Sequence, residues 1–322
     1  MSSRPSSSML AVLFTSAFLT ACTAPASQAA PPSLPPTAHP PAGMTIHAVP
    51  SGATQSSAGQ AFEGGRGEDR RTFVAGAILV DHPKGKLLFD AGYGRNLAEH
   101  FKTAPALMQA IIKPQLTSPV AEQLAASGIE LASLKAVVLT HAHWDHVSGL
   151  EHFPKTPVWV SKAELDFVKG GDRSAELARQ LGLVNYKTFG FPDGPYLGFT
   201  TSWNVFGDGS VVLVPSPGHT PGSIAAFVNT PDGKRYVLVG DTAWQSEGVD
   251  LPAQKPMLAR SLVDHDAPGT WAALQKLHAA KQALPDLIVT PAHDDRVWKT
   301  LPRLRAIPAE GLPRVKPSRP KG

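Results

Sequence analysis

The chain has 322 residues, of which 42% are apolar and 17% charged, and its formal net charge is +4. This composition predicts a globular protein with a buried core, built as one large domain or two small ones. The positive charge is concentrated in residues 302–322, where six basic side chains stand against Glu310 alone, so the body of the chain is slightly acidic and we expect no nucleic-acid partner.

The N-terminus has the pattern of an export signal. Arg4 precedes an uncharged apolar stretch, residues 9–19, that is too short to span a bilayer comfortably. Leu19-Thr20-Ala21-Cys22 resembles a bacterial lipobox, which implies a signal peptide over 1–21 and a lipid on Cys22, the only cysteine. Because Thr23 follows, we expect an outer-membrane lipoprotein on the periplasmic side of the envelope; a secreted or periplasmic protein is the alternative.

Residues 22–43 are rich in Ala, Pro and Ser and predict an extended tether. A folded domain is expected over 44–301, followed by a basic, proline-rich and disordered tail over 302–322. The first half of the domain predicts, in order, a strand at 44–49, a polar glycine-rich loop at 51–71, a hairpin of 73–80 and 87–90, helices at 96–112 and 119–127, and a strand at 136–139.

The second half begins with a strand at 158–160 and a helix from Ser161, where Glu164 stands in the position of a capping-box residue. The elements expected after it are a helix at 174–181, an irregular aromatic segment at 185–201, hairpins of 203–206 with 211–214 and of 224–228 with 235–239, an irregular insertion at 248–259, a helix from Pro268 to about 283, and a strand at 287–289.

Potential metal ligands follow four of the apolar strands. Residues 141–146 read His-Ala-His-Trp-Asp-His directly after the strand at 136–139, and the other three strand ends carry His219, Asp241 and His293. If these ends share one rim, they can hold two metal ions. Imidazole and carboxylate ligands without thiolate suit zinc, and they also accept iron, manganese or cobalt. The seven candidates are His141, His143, Asp145, His146, His219, Asp241 and His293.

The order of these motifs (H-x-H-x-D-H, G-H-T-P-G at 218–222, G-D-T at 240–242 and a final histidine) resembles the metallo-β-lactamase superfamily over roughly residues 44–300. The resemblance implies an α/β fold, an αβ/βα four-layer sandwich with the metals at one edge. It implies that His141, His143 and His219 bind the first metal. It assigns Asp145, His146 and His293 to the second metal, with Asp241 bridging both and Asp90 orienting a ligand.

The same resemblance implies a metal-dependent hydrolase. Two metals about 3.5–4 Å apart would share a water, lower its pKa towards about 7, and let the hydroxide attack a carbonyl or phosphoryl centre. Asp145 or Asp241 is expected to shuttle the proton, whereas Thr220 and Thr242 are expected to be turn hydroxyls. No Ser or Cys nucleophile is needed.

We expect a small-molecule substrate, but the sequence specifies its chemical class less closely than it specifies the metal ligands. Residues 74–92 resemble N-acyl-homoserine-lactone lactonases, which implies opening of a lactone or related ester. Those lactonases carry a tyrosine where this chain has Trp244; Tyr186 or Tyr196 could replace it, and the aromatic segment 186–199 could line an acyl pocket.

Four alternatives stay open. They are a glyoxalase II-like thioesterase, a phosphodiesterase, a β-lactamase, which the bridging Asp241 disfavours, and a metal-binding scaffold without turnover. His265, between Asp264 and Asp266, could also face the site.

Overall fold

The computed structural model describes residues 32–182 and 184–306. The predicted signal peptide (1–21), the lipidation site Cys22 and the larger part of the basic tail lie outside these residues. Among the described residues, no helix combines the length and the apolar character that a membrane crossing requires.

Two β-sheets form the centre of the described domain. The strands of the first sheet are β1 (Thr45–Ser57), β2 (Arg70–His82), β3 (Gly85–Phe89), β4 (Gln115–Leu116), β5 (Leu134–Val138), β6 (Val158–Ser161) and β7 (Tyr186–Phe189). Those of the second are β8 (Trp203–Asn204), β9 (Val211–Pro215), β10 (Ile224–Asn229), β11 (Arg235–Gly240) and β12 (Leu287–Pro291). The strand orders are β4-β1-β2-β3-β5-β6-β7 and β12-β11-β10-β9-β8.

The α-helices lie on the outer faces of the sheets or in the connections at one edge. They are α1 (Ala58–Ala61), α2 (Leu97–His100), α3 (Ala106–Ile111), α4 (Val120–Ala126), α5 (Trp144–Val147), α6 (Lys162–Lys169), α7 (Glu176–Gln180), α8 (Ser246–Asp250), α9 (Met257–Val263), α10 (Ala267–Ala283) and α11 (Asp295–Trp298). Four short 3-10 turns also occur, at Phe101–Thr103, Leu131–Ser133, Ser148–His152 and Arg173–Ala175.

Three apolar clusters confirm the predicted four-layer sandwich. Between the sheets, alternate residues such as Val80 of β2 pack against residues such as Leu213 of β9. The opposite face of the first sheet packs against α4, α5, α6 and α7, with Leu124 fully buried. The opposite face of the second sheet packs against α8 and α10, with Leu277 fully buried. The period-two alternation of the strands therefore places one apolar face inward and one under helices.

The predicted loop at 51–71 is wrong. β1 continues to Ser57 and pairs with β2 as far as Arg70, so most of this polar segment is strand and the short helix α1. Its strand character comes from backbone pairing rather than apolar alternation. The register shifts next to Gly52, where a Cβ atom would lie 2.1 Å from the carbonyl oxygen of Gln115, so only glycine lets β4 approach.

Three further differences lie in the second half. Part of the segment predicted as irregular at 185–201 forms β7, which pairs with β6 in parallel. The predicted irregular insertion at 248–259 contains most of α8 and the start of α9. The first residues of the predicted tail are attached to the domain, because the Pro302 carbonyl accepts a hydrogen bond from the Ala48 amide. The described end of the predicted tether also contacts the body, through the His39 amide and the Asp208 carbonyl.

The strand topology brings the carboxyl ends of β3, β5, β9, β11 and β12 to one edge. β3 and β5 are parallel, as are β11 and β12, while β9 and β11 each run antiparallel to β10. A hydrogen bond from the Ile224 amide to the Thr140 carbonyl joins the two sheets at this edge. Loops that leave these strands must therefore meet there.

Candidate metal centre

The structure brings all seven predicted ligands together at this edge. His141 and His143 stand in the loop after β5, Asp145 and His146 in the one-turn helix α5, and His219, Asp241 and His293 in the connections after β9, β11 and β12. The five imidazoles are at least 93% buried, with His143 the most exposed at 7%. Such burial is rare for so many polar rings unless they share a partner.

Two groups of side chains converge there. His141, His143 and His219 offer ring nitrogens within 4.8 Å of one another, and the same holds for a ligand atom each of Asp145, His146 and His293. These groups are the two ligand sets that the resemblance implies. A third set of ligand atoms equally close together, from His141, His146 and Asp241, connects them.

Asp241 lies between the two groups. Its Oδ1 is 3.3 Å from Nε2 of His146 and 3.1 Å from Nε2 of His293. Its Oδ2 is 3.5 Å from Nε2 of His219 and 3.3 Å from Nε2 of His293. The carboxylate therefore lies against imidazoles of both groups, as a bridging ligand must.

The positions of the imidazole protons show whether the inward-facing ring nitrogens are free to bind cations. The Thr140 hydroxyl donates to Asp90 and so can accept from His141 Nδ1, while Asp264 accepts from His219 Nδ1 at 2.7 Å. Both Nε2 atoms then carry lone pairs, yet they lie 3.2 Å apart. Burial, with His146 and the other neighbouring imidazoles, lowers the pKa of His141 well below its usual value. Two facing lone pairs on neutral rings are repulsive unless a cation lies beside them.

Ligand atoms of the second group also point inward without a bonding partner. His293 donates from Nδ1 to the Val74 carbonyl at 2.8 Å, so its neutral form also points a lone pair inward. His146 Nε2 and Asp241 Oδ1 are buried without a hydrogen-bond partner in the described structure. Burial alone would lower the pKa of His146, but nearby carboxylates, led by Asp90 and Asp241, raise it well above its usual value. The pocket is thus arranged for positive charge, which a metal ion supplies.

Comparison with known proteins identifies the family. Residues 72–293 match the family described as the Metallo-beta-lactamase superfamily. The chain belongs to this superfamily. Among its relatives are the N-acyl homoserine lactonase AttM of Agrobacterium fabrum, 27% identical over 229 residues that span 69% of this chain and 82% of that protein. A protein named "Probable metallo-hydrolase" in Mycobacterium tuberculosis is 27% identical over 245 residues, which span 69% of this chain and 75% of the relative.

Solved structures share the fold. An N-acyl homoserine lactone hydrolase with N-hexanoyl-L-homoserine at its catalytic metal centre superposes with a TM-score of 0.64 and 19% identity, over 80% of this chain and 96% of that one. A dizinc quorum-quenching lactonase gives a TM-score of 0.54 and 17% identity, over 80% and 90%. The chain is therefore a metallo-hydrolase with the fold of these lactonases.

In this metallo-hydrolase, Asp90 connects the first sheet to the ligand loop. Its two oxygens accept from the Thr140 amide at 2.7 Å, the Thr140 hydroxyl at 2.8 Å and His146 Nδ1 at 2.9 Å. Asp90 has a φ of 63°, a strained conformation that Asp tolerates better than most residues. The structure thus places Asp90 where it orients His146, as the resemblance implied.

Glu164 is a residue of the site that the sequence did not reveal. Ser161 caps α6 as expected, since its hydroxyl accepts from the Glu164 amide at 3.1 Å. The Glu164 carboxylate instead accepts from the Ala142 amide at 2.6 Å, the Thr220 hydroxyl at 2.6 Å and the Gly222 amide at 3.1 Å. Burial raises its pKa to about 7. Glu164 therefore fixes the His141–His143 loop against the turn that carries His219.

An apolar cavity of about 280 Å³ opens onto the candidate metal centre. Two helices form its walls: α3 with Leu107, Met108 and Ile111, and α9 with Leu258 and Leu262. Tyr93, Trp144, Phe73 and Trp244 line the part nearest the centre, together with His143, Asp145, His219, Asp241 and His293. No lysine or arginine of the described residues lines it. The cavity therefore suits a neutral substrate with an apolar group.

The aromatic residues near the centre differ from those expected. Trp244 donates from its indole nitrogen to Asp241 Oδ2 at 2.8 Å, so this donor is engaged within the site. Of the four tyrosines, all in the described part of the chain, only Tyr93 lines the cavity. Burial, reinforced by Asp145, raises the pKa of Tyr93 well above its usual value, which keeps the phenol protonated.

Two minor predictions are wrong. The segment 186–199 does not line the cavity: Tyr186 packs against the outer cluster of the first sheet, and the Tyr196 ring packs at a tilt against Phe227, with their centroids 5.1 Å apart. The His265 side chain is 49% exposed and packs edge-on against Phe167 rather than facing the centre.

Proposed function

We propose that this metallo-hydrolase holds two metal ions and opens lactones or related esters that carry an apolar acyl group. One observation carries the proposal: the apolar cavity ends directly on both ligand groups. A carbonyl group at that end would reach the metals while its acyl chain remained between α3 and α9.

The ligand assignment follows the geometry. His141, His143 and His219 would hold one metal, and Asp145, His146 and His293 the other. Asp241 would bridge them, since its carboxylate lies within 3.5 Å of imidazoles of both groups. A ligand set made only of imidazoles and carboxylates favours zinc. One solved structure with this fold is described as dizinc.

The bound metals would polarise the ester carbonyl and make water nucleophilic at neutral pH. The protein's own groups then manage protons and water. Asp145 is the better proton carrier, because its side chain is 14% exposed at the cavity and its Oδ2 lies 3.4 Å from His293 Nε2. Asp241 already accepts a hydrogen bond from Trp244 and lies against the imidazoles, so it is less free to carry a proton. Ring opening adds one water across the acyl C–O bond, so a single proton passes to the departing alkoxide.

The absence of a cationic side chain in the described cavity lining favours the lactone class over an anionic thioester. A substrate with an anionic group away from the metals would need a cation there, and the described lining contains no lysine or arginine. Tyr93 is the phenol best placed to donate a hydrogen bond to a substrate oxygen, in place of the tyrosine absent at 244. Relatives and solved structures with this fold include proteins named as N-acyl homoserine lactonases.

A hydrolysis panel on the metal-loaded protein tests this proposal. We expect turnover of N-acyl homoserine lactones, with kcat/KM rising as the acyl chain lengthens, and little turnover of a phosphodiester or a cephalosporin. His143→Ala should abolish turnover, whereas His265→Ala, which removes an imidazole outside the centre, should not. Faster hydrolysis of a thioester than of every lactone would favour the thioesterase alternative.

We also propose that the chain is an outer-membrane lipoprotein anchored through Cys22. The lipobox-like residues 19–22 and the uncharged stretch before them support this proposal. Two or more acyl chains would be needed for stable anchoring.

A further inference from the structure

Lys255 has a buried ammonium group that neither lines the cavity nor belongs to the ligand set. It lies between α8 and α9, and its side chain is only 2% exposed. Its Nζ donates to Asp264 Oδ1 at 2.8 Å and lies 5.6 Å from the ring centroid of Trp244. A lysine is almost never buried to this extent without a specific partner.

Asp264, the hydrogen-bond partner of Lys255, connects it to His219. Asp264 Oδ1 accepts both from Lys255 and from His219 Nδ1, the latter at 2.7 Å. That hydrogen bond orients the imidazole and keeps its Nε2 free to bind metal. The Asp264 side chain is only 3% exposed, and the Lys255 ammonium lies against it at 2.8 Å. Lys255 thus compensates the buried charge that orients His219.

Trp244, the second residue that Lys255 contacts, connects it to Asp241. The Lys255 ammonium lies near the Trp244 ring, and the Trp244 indole donates to Asp241 Oδ2 at 2.8 Å. A cation near the ring attracts its π electrons and holds the indole in place. One ammonium group therefore contacts the partners of two candidate ligands.

Lys255 and Asp264 also flank α9, which forms one wall of the cavity. Their ion pair joins the residues on either side of Met257–Val263, a helix with exposed apolar residues and little contact with the core. Loss of the pair would remove this contact between the two ends of the helix and leave a carboxylate buried without its cation.

We propose that Lys255 is a positioning residue of the metal centre, acting through Asp264 on His219 and joining the α9 wall to the metal site. This inference rests on the two-metal site proposed above. Groups of this kind contribute about 10- to 100-fold to metal affinity.

The test compares the full-length protein with Lys255→Met, Asp264→Asn, the double variant and Lys234→Met. Lys234 is a matched control, because it pairs with Asp232 at 3.0 Å in the exposed β10–β11 turn, at the end of β11 opposite Asp241. Zinc affinity is measured by competition with a chelator, and the cobalt-substituted protein is followed by its visible absorption spectrum. Thermal unfolding reports whether each variant is folded.

We expect Lys255→Met to weaken one of two zinc sites about tenfold or more and to change the cobalt spectrum. It should add less than about twofold in the Asp264→Asn background, because both changes interrupt one chain of contacts. Lys234→Met should match the wild type. If Lys255→Met does not fold, Asp264→Asn alone, which preserves the shape, should show the same weakening.

Unchanged or tighter zinc binding in folded Lys255→Met would overturn the inference, as would fully additive effects in the double variant. Wild-type affinity in Asp264→Asn would overturn it where Lys255→Met does not fold. A wild-type protein that binds no metal would instead overturn the proposed function, so the two failures can be told apart.

Discussion

Replacing Asp90 with Asn should remove a metal while leaving the fold intact. Asn preserves the shape of Asp and also tolerates the φ of 63° at this position. One side-chain oxygen can still accept from the Thr140 amide, which lies 2.7 Å from Asp90 Oδ1. The new amide nitrogen then takes the place of Oδ2 and faces His146 Nδ1 at 2.9 Å.

Two donors cannot face each other there, so His146 must change its tautomer. Nδ1 becomes the acceptor and the proton moves to Nε2, the atom that faces Asp241 Oδ1 at 3.3 Å. A protonated Nε2 cannot bind a metal ion. Loss of a hydrogen bond to a charged group costs about 1.5–3 kcal/mol, which corresponds to roughly 10- to 150-fold in affinity. Losses after removal of a ligand's orienting partner are of the same order, about 10- to 100-fold.

The assay is zinc stoichiometry and chelator competition, with thermal unfolding of the metal-free protein as a check of the fold. We expect Asp90→Asn to retain the metal proposed for His141, His143 and His219 and to lose most of the metal proposed for Asp145, His146 and His293. Asp208→Asn is the matched control, because Asp208 pairs with His82 at 3.0 Å outside the centre. Full occupancy of both sites in Asp90→Asn at limiting zinc would refute the reasoning.

The other predictions concern the bridge, the cavity and the anchor. Asp241→Asn should reduce the metal content from two per chain to one or fewer and lower kcat/KM at least about 100-fold, as measured by metal analysis and lactone hydrolysis. Leu262→Trp should fill the cavity and reduce kcat/KM for long-chain lactones about tenfold with little change for short ones, since each methylene excluded costs about 0.8 kcal/mol. Cys22→Ser should abolish palmitate labelling in bacterial cells, because no other cysteine is present to carry the lipid.

Each of these has a clear contrary result. Undiminished metal content in Asp241→Asn would contradict the bridge. Leu251 offers a control for the cavity, because it is 64% exposed and does not line it, so Leu251→Trp should leave chain-length preference unchanged. Labelling that persists in Cys22→Ser would contradict the lipoprotein proposal.

Much of the fold followed from local patterns in the sequence. A polar turn between two strand-like segments predicted the hairpin of β2 and β3, and a continuous apolar run predicted the strand β5. The structure pairs Leu88 with Leu79 in that hairpin. The polar end of β1 and the helix α9 escaped prediction for a shared reason. Neither is held chiefly by the core: β1 is extended by backbone pairing with β2, and the apolar residues of α9 face the cavity. Apolar patterns in a sequence reveal segments that are buried in a core. They do not reveal strands held by backbone pairing or apolar residues that line a cavity.

For the site, the sequence alone determined which side chains could bind metal. His141, Asp241 and the other candidates each follow an apolar strand, and parallel strand ends must meet at one edge of a sheet. Only the tertiary structure decided how these side chains are oriented. In the sequence Glu164 stands at a capping-box position, and its buried partner Thr220 is 56 residues away. Lys255 lies in a segment predicted to be irregular, and its partner Asp264 reaches the site only through His219, which is 45 residues from Asp264. Local sequence specifies a side chain's chemistry, whereas its buried hydrogen-bond partners depend on contacts between segments far apart in the chain.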